Sequence, residues 1–167
     1  MPIPPSSEKA LYAPMALWLK KYLESRYRGS RIEVFDTSQK SLSYFISANN
    51  FGSYLPPEWN SWDIHVDITG FILNGNTAEL AFIEAKVGEL SLSELSQLLG
   101  YSRVAHPLHS FLLSPKGCSG SLTSLLVSYN RKDVLIYQER KGFTNRTISI
   151  ATWDTSTNSI NHASLIG

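Results

Sequence analysis

The sequence predicts an α/β sandwich of the three-layer type, in which a central mixed β-sheet is flanked by helices. The first observation is composition, because 167 residues with 43% hydrophobic and 17% charged side chains fit one domain with a sizeable core. The second is periodicity, because stretches with the two-residue period of strands alternate with stretches of helical period. The third is the order of these elements, which is α, β, β, β, α, β, α, β, β and is typical of helices packed on a sheet.

The first predicted element is a helix that begins near Ser6 or Ser7 and runs to about Tyr27. Pro14 lies inside this stretch and predicts a kink or a restart. At about 100° per residue, Glu8 projects onto the middle of the apolar side of the helix. A carboxylate in that place needs a partner or a metal, or it simply favours the positive end of the helix dipole. Both interpretations stay open.

The first helix ends in a basic stretch, which is either a solvated helix face or a contact with a phosphate backbone. The candidate substrate-binding residues in it are Lys20, Lys21, Arg26 and Arg28. After it, residues 31–35 alternate as a short strand, and residues 41–48 predict either another strand or a short helix.

The clearest pair of strands spans residues 63–69 and 78–86. An Asn-Gly-Asn sequence at 74–76 separates them and is a turn signal. If the turn centres there, Asp67 faces Glu84 directly across the pair, with Cβ atoms about 5 Å apart. Two carboxylates so close repel each other unless a cation lies between them.

A second helix follows this hairpin. Ser91 and Glu94 form a capping box at its start, and Gln97 and Tyr101 lie four residues apart on one side of it. The remaining predicted elements are a strand at 110–114, a short helix at 120–129 and late strands at 134–137 and 147–151. We expect one domain over residues 1–167, with short flexible tails at 1–6 and 155–167.

These carboxylates and the nearby lysine suit phosphodiester hydrolysis, in which water is deprotonated, nonbridging oxygens are neutralised and the leaving alkoxide is stabilised. Asp67 and Glu84 offer hard oxygen ligands of the kind that Mg²⁺ prefers. Lys86 points to the same face of its strand as Glu84, so its ammonium could hold the attacking hydroxide or stabilise the pentacoordinate phosphate. Glu8 could reach a metal or its water from the first helix. Gln97 could orient that water or the lysine, and Tyr101 could contact a phosphate of the substrate.

Three stretches resemble the motifs of the PD-(D/E)xK nuclease superfamily, which has a restriction-endonuclease-like fold. They are Asp67-Ile68-Thr69-Gly70-Phe71-Ile72, Leu80-Ala81-Phe82-Ile83-Glu84-Ala85-Lys86 and Gln97-Leu98-Leu99-Gly100-Tyr101. The last is similar to the Gln-x-x-x-Tyr motif of the RecB-like exonuclease branch, and Glu8 is similar to the first-helix glutamate of many members. The resemblance implies DNA as substrate and Mg²⁺ or Mn²⁺ as cofactor. It also implies metal ligands at Asp67 and Glu84, catalysis by Lys86, and auxiliary roles for Glu8, Gln97 and Tyr101.

The motif departs from the superfamily pattern at one position. The residue before Asp67 is Val66 and not proline, and Asp63 is a rival acid on the same face of the predicted strand. The alignment with Glu84 favours Asp67 as the metal ligand.

The sequence therefore predicts an Mg²⁺-dependent deoxyribonuclease that acts in repair, recombination or the processing of mobile-element or viral DNA. A Holliday-junction resolvase is a special case, which would require a homodimer with two sites. One alternative is a nuclease fold that serves as a catalytically inactive nucleic-acid-binding or protein-interaction module. Another is an unrelated α/β domain in which Glu84 and Lys86 form a surface ion pair.

Net charge and cysteine content limit the binding sites, disulfides and cellular compartment that we expect for the protein. A net charge of +1 means that any polyanion site must be local. The single cysteine, Cys118, excludes an intrachain disulfide framework. Because no signal-like N-terminus and no long apolar run are visible, we expect a cytoplasmic location and no membrane partner.

Overall fold

The computed structural model describes residues 5–167. Its helices and strands in chain order are α1 (Lys9–Arg26), β1 (Arg31–Asp36), α2 (Leu42–Ala48), β2 (Ile68–Asn74), β3 (Thr77–Ala85), α3 (Leu92–Ala105), β4 (His109–Ser114), α4 (Gly120–Thr123), β5 (Ile136–Gln138), β6 (Arg146–Thr147), β7 (Ser149–Asp154) and β8 (Ser159–Ile166). In residues 5–167, no helix combines the length and the apolar character that crossing a bilayer requires.

Six strands form the central sheet in the order β1-β2-β3-β4-β7-β8, and β5 and β6 form a separate two-stranded ribbon. The three central strands β3, β4 and β7 run parallel, whereas β1, β2 and β8 are paired antiparallel to their neighbours. One face of the sheet packs against α1, and the other packs against α2, α3 and α4. This mixed sheet with helices on both faces confirms the predicted fold class.

Side chains along β3 alternate between the two cores. Phe82 packs in the core beneath α2 and α3, and Ile83 packs in the core beneath α1. Because strand side chains alternate with a period of two, Glu84 continues the row of Phe82. Near the end of β3, a carboxylate therefore occupies a position where the earlier residues of the row are hydrophobic.

The strand predicted at 63–69 begins later, at Ile68. Backbone carbonyls before that point accept hydrogen bonds from the segment that follows β1 and not from a strand. Leu42 N donates to Ile64 O at 2.7 Å, and Thr37 N donates to Asp67 O at 2.9 Å. The alternating pattern of this segment thus reflects burial of Ile64 and Val66 beneath α2, without a sheet ladder.

The predicted C-terminal tail at 155–167 is wrong. Its polar residues form a turn, in which Asp154 Oδ1 accepts from Ser156 N at 2.8 Å and Asn158 takes a left-handed conformation with φ of 50°. The chain then returns as β8 beside β7, and Ile160 is buried in the core beneath α1. Of the predicted N-terminal tail, residues 1–4 lie outside the described residues.

Other boundaries also differ from the predictions. Helix α1 begins at Lys9 with Glu8 at its N-cap, and it continues through Pro14 without a restart. The ambiguous segment 41–48 is a helix, which Ser41 caps by accepting a hydrogen bond from Tyr44 N. The predicted helix at 120–129 is four residues of α-helix followed by a π turn, Ser124–Ser128. The late strands are displaced to the bounds of β5, β6 and β7 given above.

Candidate active site

Asp67 and Glu84 lie side by side where β2 begins and β3 ends. Ile68 pairs with Ile83, so the next residues outward, Asp67 and Glu84, face each other. Asp67 N donates to Glu84 Oε1 at 3.3 Å, and Ala85 N donates to Asp67 Oδ2 at 2.9 Å. The hairpin turn sets this register, and the structure therefore places the two carboxylates together as the sequence predicts.

Asp63, the rival acid, is not part of this cluster. It is exposed and precedes β2 by five residues. The segment that carries Asp67 is instead held by Thr37, whose Oγ1 donates to Val66 O at 2.6 Å. Thr37 is buried, and this fixes the position of Asp67 although that residue lies outside the strand.

Glu84 is almost completely buried, with 2% of its surface exposed. Burial raises its pKa most, and the hydrogen bond to Asp67 and the charge of Asp67 raise it further, whereas the charge of Lys86 lowers it. Together these effects raise the pKa of Glu84 from 4.5 to about 9. Without a cation, the Glu84 carboxyl therefore holds its proton at neutral pH.

Tyr12 is a residue of the cluster that sequence analysis missed. Its hydroxyl donates to Asp67 Oδ1 at 2.9 Å, and its ring is buried against the core beneath α1. Burial and the negative charge of Asp67 raise the pKa of Tyr12, so it remains a donor at ordinary pH. Helical spacing held a signal, because Tyr12 follows Glu8 by one turn and shares its side of α1.

Glu8 and Lys86 form an ion pair at the rim of the cluster. The distance from Lys86 Nζ to Glu8 Oε1 is 3.7 Å, and 26% and 37% of the two side chains are exposed. The start of α1 thus contributes Glu8 and Tyr12 to the same sheet edge as Asp67, Glu84 and Lys86. Glu8 reaches Lys86 because its phase on α1 turns it toward the sheet, as the sequence predicts.

Gln97 and Tyr101 lie on α3 and bond to each other. Gln97 Nε2 donates to Tyr101 Oη at 2.9 Å, and within residues 5–167 neither side chain is hydrogen-bonded to Asp67 or Glu84. The first turn of α3 is nearer to the cluster. Burial alone would raise the pKa of Glu94. Hydrogen bonds from Ser91 outweigh it and lower that pKa, and the charge of Lys86 lowers it further.

The basic residues of α1 are remote from the carboxylates. Lys20 and Lys21 follow Glu8 by twelve and thirteen residues, which corresponds to about 18–20 Å along a helix. Arg26 and Arg28 lie farther still, and Arg26 covers the ring of Tyr22 with its guanidinium 4.6 Å from the ring centroid. The structure therefore does not bring these four side chains to the carboxylate cluster.

The donor set of the cluster fits a hard divalent cation. Within residues 5–167, no group of three or more His, Cys, Asp or Glu side chains is placed so that it could hold a metal ion. Mg²⁺ does not require such a group, because it keeps several waters and binds through one or two carboxylates. The Asp67 and Glu84 pair supplies those two, and a cation between them would offset their repulsion.

Comparison with known proteins gives a likeness in structure. No protein-family model and no curated protein matches the chain. Among solved structures, the chain is similar to the MspJI restriction endonuclease in complex with a 27-mer oligonucleotide, with a TM-score of 0.42 and 11% sequence identity. The match covers 86% of this chain and 25% of that chain, so this protein spans about a quarter of its length. At this TM-score, function must be argued from this chain's own residues.

The raised pKa of Glu84 predicts how stability depends on pH in the absence of metal. Between pH 4.5 and about 9 the folded state holds the Glu84 proton more tightly than the unfolded state. The free energy of unfolding therefore falls as pH rises through this window, by at most about 1.4 kcal/mol per pH unit. The glutamine side chain of Glu84→Gln stays neutral at every pH, so we expect this variant to lose this pH dependence of the free energy of unfolding. We expect the variant to be more stable than the wild type at pH 9.

Urea unfolding in EDTA at pH 5, 7 and 9 measures this difference. His109 contributes the opposite slope below pH 6.5, because burial first, and then the charges of Arg26 and Arg146, lower its pKa to about 4. The wild type must therefore be compared with the variant at each pH. Glu139→Gln, at an exposed position, is the control. Equal pH slopes for the wild type and Glu84→Gln would contradict the prediction.

Removal of the Tyr12 hydroxyl is expected to weaken both stability and metal binding. Tyr12→Phe loses a hydrogen bond to a carboxylate, which is worth about 1.5–3 kcal/mol of unfolding free energy. Loss of an outer partner of a metal ligand lowers metal affinity by about 10–100-fold. Urea unfolding and calorimetric Mn²⁺ titration measure the two effects. Tyr22→Phe is the control, because its hydroxyl has no hydrogen-bond partner within residues 5–167, and an equal response of both variants would exclude this role for Tyr12.

Proposed function

We propose that this protein is a metal-dependent nuclease that hydrolyses DNA phosphodiester bonds. The observation that carries the proposal is the pairing of Asp67 with the buried Glu84 at a sheet edge that also holds Lys86. The ion pair of Lys86 is made with Glu8, so the charge of the two adjacent carboxylates is left without a direct cationic partner within residues 5–167. A buried carboxyl whose pKa is raised by burial and by an adjacent acid is typical of functional sites, because its charged form is costly unless a ligand compensates it.

Each residue of the cluster has a chemical role in this proposal. Asp67 and Glu84 would hold Mg²⁺ or Mn²⁺, which when bound supplies a Lewis acid for the phosphate and lowers the pKa of a bound water. Tyr12 orients Asp67 through its hydroxyl. Lys86 places an ammonium beside the carboxylates, where it donates hydrogen bonds to the phosphate oxygens as negative charge builds on them. Glu8 holds that ammonium in place.

The choice of DNA is supported by the resemblance of the motifs to PD-(D/E)xK nucleases. An unrelated α/β domain with a surface Glu84–Lys86 pair fits the site less well, because Glu84 is buried and Lys86 is paired with Glu8. The site itself leaves the shape of the DNA open.

Incubation with labelled DNA of several shapes tests the proposal. Linear duplex, circular duplex, single-stranded and four-way-junction DNA are each incubated with Mg²⁺, with Mn²⁺ and with EDTA. We expect cleavage that requires the metal. Cutting of circles would indicate an endonuclease, digestion from ends alone an exonuclease, and cutting of junctions alone a resolvase. Intact DNA in every reaction, together with no metal binding, would overturn the proposal and favour a catalytically inactive binding module.

A further inference from the structure

The β5–β6 hairpin ends in an exposed aromatic ring on a rigid frame. Phe143 is 74% exposed, and its N donates to Arg140 O at 3.1 Å. Arg140 Nε and its terminal nitrogen donate to Thr144 O at 3.0 and 2.9 Å, and Arg140 N donates to Asn145 Oδ1 at 3.2 Å. The guanidinium carbon lies 5.7 Å from the centroid of the Phe143 ring. The ring and the cation are therefore held together as one platform.

The hydrogen-bonded conformation of residues 140–145 is not a consequence of packing in the core. None of residues 140–145 is buried, and residues 141–145 are exposed. Ordering exposed residues costs conformational entropy, and an exposed phenylalanine recovers little of it by leaving water. A platform that is ordered before a ligand arrives lowers the entropy cost of binding that ligand. The hairpin tip, residues 140–145, thus has the properties of a preformed contact surface.

The charge around the hairpin tip favours a polyanion. Arg140 and Lys141 belong to the tip, and Arg146 at its base donates to His106 O at 2.7 Å. Arg26 lies near the start of β4, because its guanidinium covers the ring of Tyr22, whose centroid is 5.3 Å from that of the half-buried His109. Glu79, at 3.9 Å from Arg146, and the exposed Glu139, directly before Arg140, offset this charge in part. Arg140, Lys141 and Arg146 therefore place positive charge on the hairpin that carries the exposed ring.

We infer that the hairpin tip binds unpaired bases of a nucleic-acid strand, with a base stacked on Phe143 and a phosphate held by Lys141. Aromatic side chains beside a positively charged track are the usual means of binding single strands, because every base has a π-face. The choice of nucleic acid rests on the proposed function, and the inference adds that the substrate has an unpaired segment.

The hairpin tip and the carboxylate cluster lie at opposite ends of the parallel strands. Strand β4 begins at His109, beside Arg146, and its Leu113 carbonyl accepts from Lys86 N at 3.0 Å. Four residues of strand separate these two points by about 13 Å. The hairpin tip lies beyond Arg146, so a nucleic-acid strand that touches both the tip and the cluster must span more than this distance. The tip would act as an anchor and not as part of the chemistry.

Binding of labelled single-stranded oligothymidine and of duplex DNA in EDTA tests the inference. We expect Phe143→Ala to weaken binding of the single strand about tenfold, with a smaller effect on duplex. In a plot of the logarithm of the single-strand binding constant against the logarithm of salt concentration, Lys141→Ala should reduce the magnitude of the slope by about 0.7. The control is Tyr44→Ala, because Tyr44 is also exposed, at 58%, and has Lys40 Nζ 5.3 Å from its ring centroid.

Three results would overturn the inference: no binding of single strands by the wild type, equal affinities for Phe143→Ala and Tyr44→Ala, or equal losses by Phe143→Ala on single-stranded and duplex DNA. Because EDTA removes the metal, these outcomes do not depend on cleavage. If the proposed nuclease activity fails but Phe143→Ala still weakens single-strand binding, only the proposed function falls. If metal-dependent cleavage occurs but Phe143→Ala binds as the wild type does, only this inference falls.

Discussion

Lys86→Ala is expected to lower the rate of metal-dependent DNA cleavage by about a hundredfold or more while leaving the fold intact. The ammonium of Lys86 lies at the rim of the carboxylate cluster, 3.7 Å from Glu8 Oε1 at the start of α1. Removal of one group that stabilises charge in a transition state costs about 10²–10³ in rate. The effect on stability should be small, because the ion pair with Glu8 is partly exposed and such pairs contribute about 0–1 kcal/mol.

Single-turnover cleavage at saturating DNA and Mn²⁺ measures this rate. Lys132→Ala, at an exposed lysine in a turn before β5, is the matched control and should cleave as the wild type does. Circular dichroism and urea unfolding check that Lys86→Ala is folded. A folded Lys86→Ala protein that cleaves within threefold of the wild-type rate would remove Lys86 from the proposed chemistry.

Short-range sequence signals predicted the centre of the fold well. The Asn-Gly-Asn turn at 74–76 set the register of β2 and β3, and that register alone places Asp67 opposite Glu84. The capping box of α3 is present, with Ser91 and Glu94 bonded reciprocally. In each case the decisive interaction joins residues close in sequence or related by one tight turn, so local pattern is sufficient to predict it.

Interactions between distant segments were not predictable in the same way. Tyr12 fits an apolar helix stripe, and only its approach to Asp67, 55 residues later, shows that its hydroxyl has a partner. Thr37 supports Asp67 through backbone contacts that have no sequence signature. Residues 155–158 have the composition of a tail, yet Ile160 has a place in the core and brings the chain back into the sheet. The role of Gln97 stays a prediction, because its side chain bonds to Tyr101.

The second large effect is expected in metal binding, where Asp67→Asn should abolish the stabilisation that a divalent cation gives the wild type. A ligand at a hundred times its dissociation constant adds about 2.7 kcal/mol to the free energy of unfolding. For a chain of this size that corresponds to a rise in melting temperature of about 5–10 °C. Asp67→Asn removes one of two charged ligands, and Asp63→Asn removes an equal charge from an exposed position four residues earlier.

Thermal unfolding with Mn²⁺ and with EDTA gives the rise in melting temperature for each variant. Each variant must be compared with itself, because Asp67→Asn also relieves the repulsion of Glu84 and changes the bond with Tyr12, both of which alter the melting temperature without metal. We expect the rise to persist in Asp63→Asn and in Lys86→Ala, since neither side chain is a proposed ligand, and to vanish in Asp67→Asn. If the rise in melting temperature were lost in Asp63→Asn alone, the metal ligand would be Asp63 and not Asp67. An equal rise in all variants would show that the cation binds away from the carboxylate cluster.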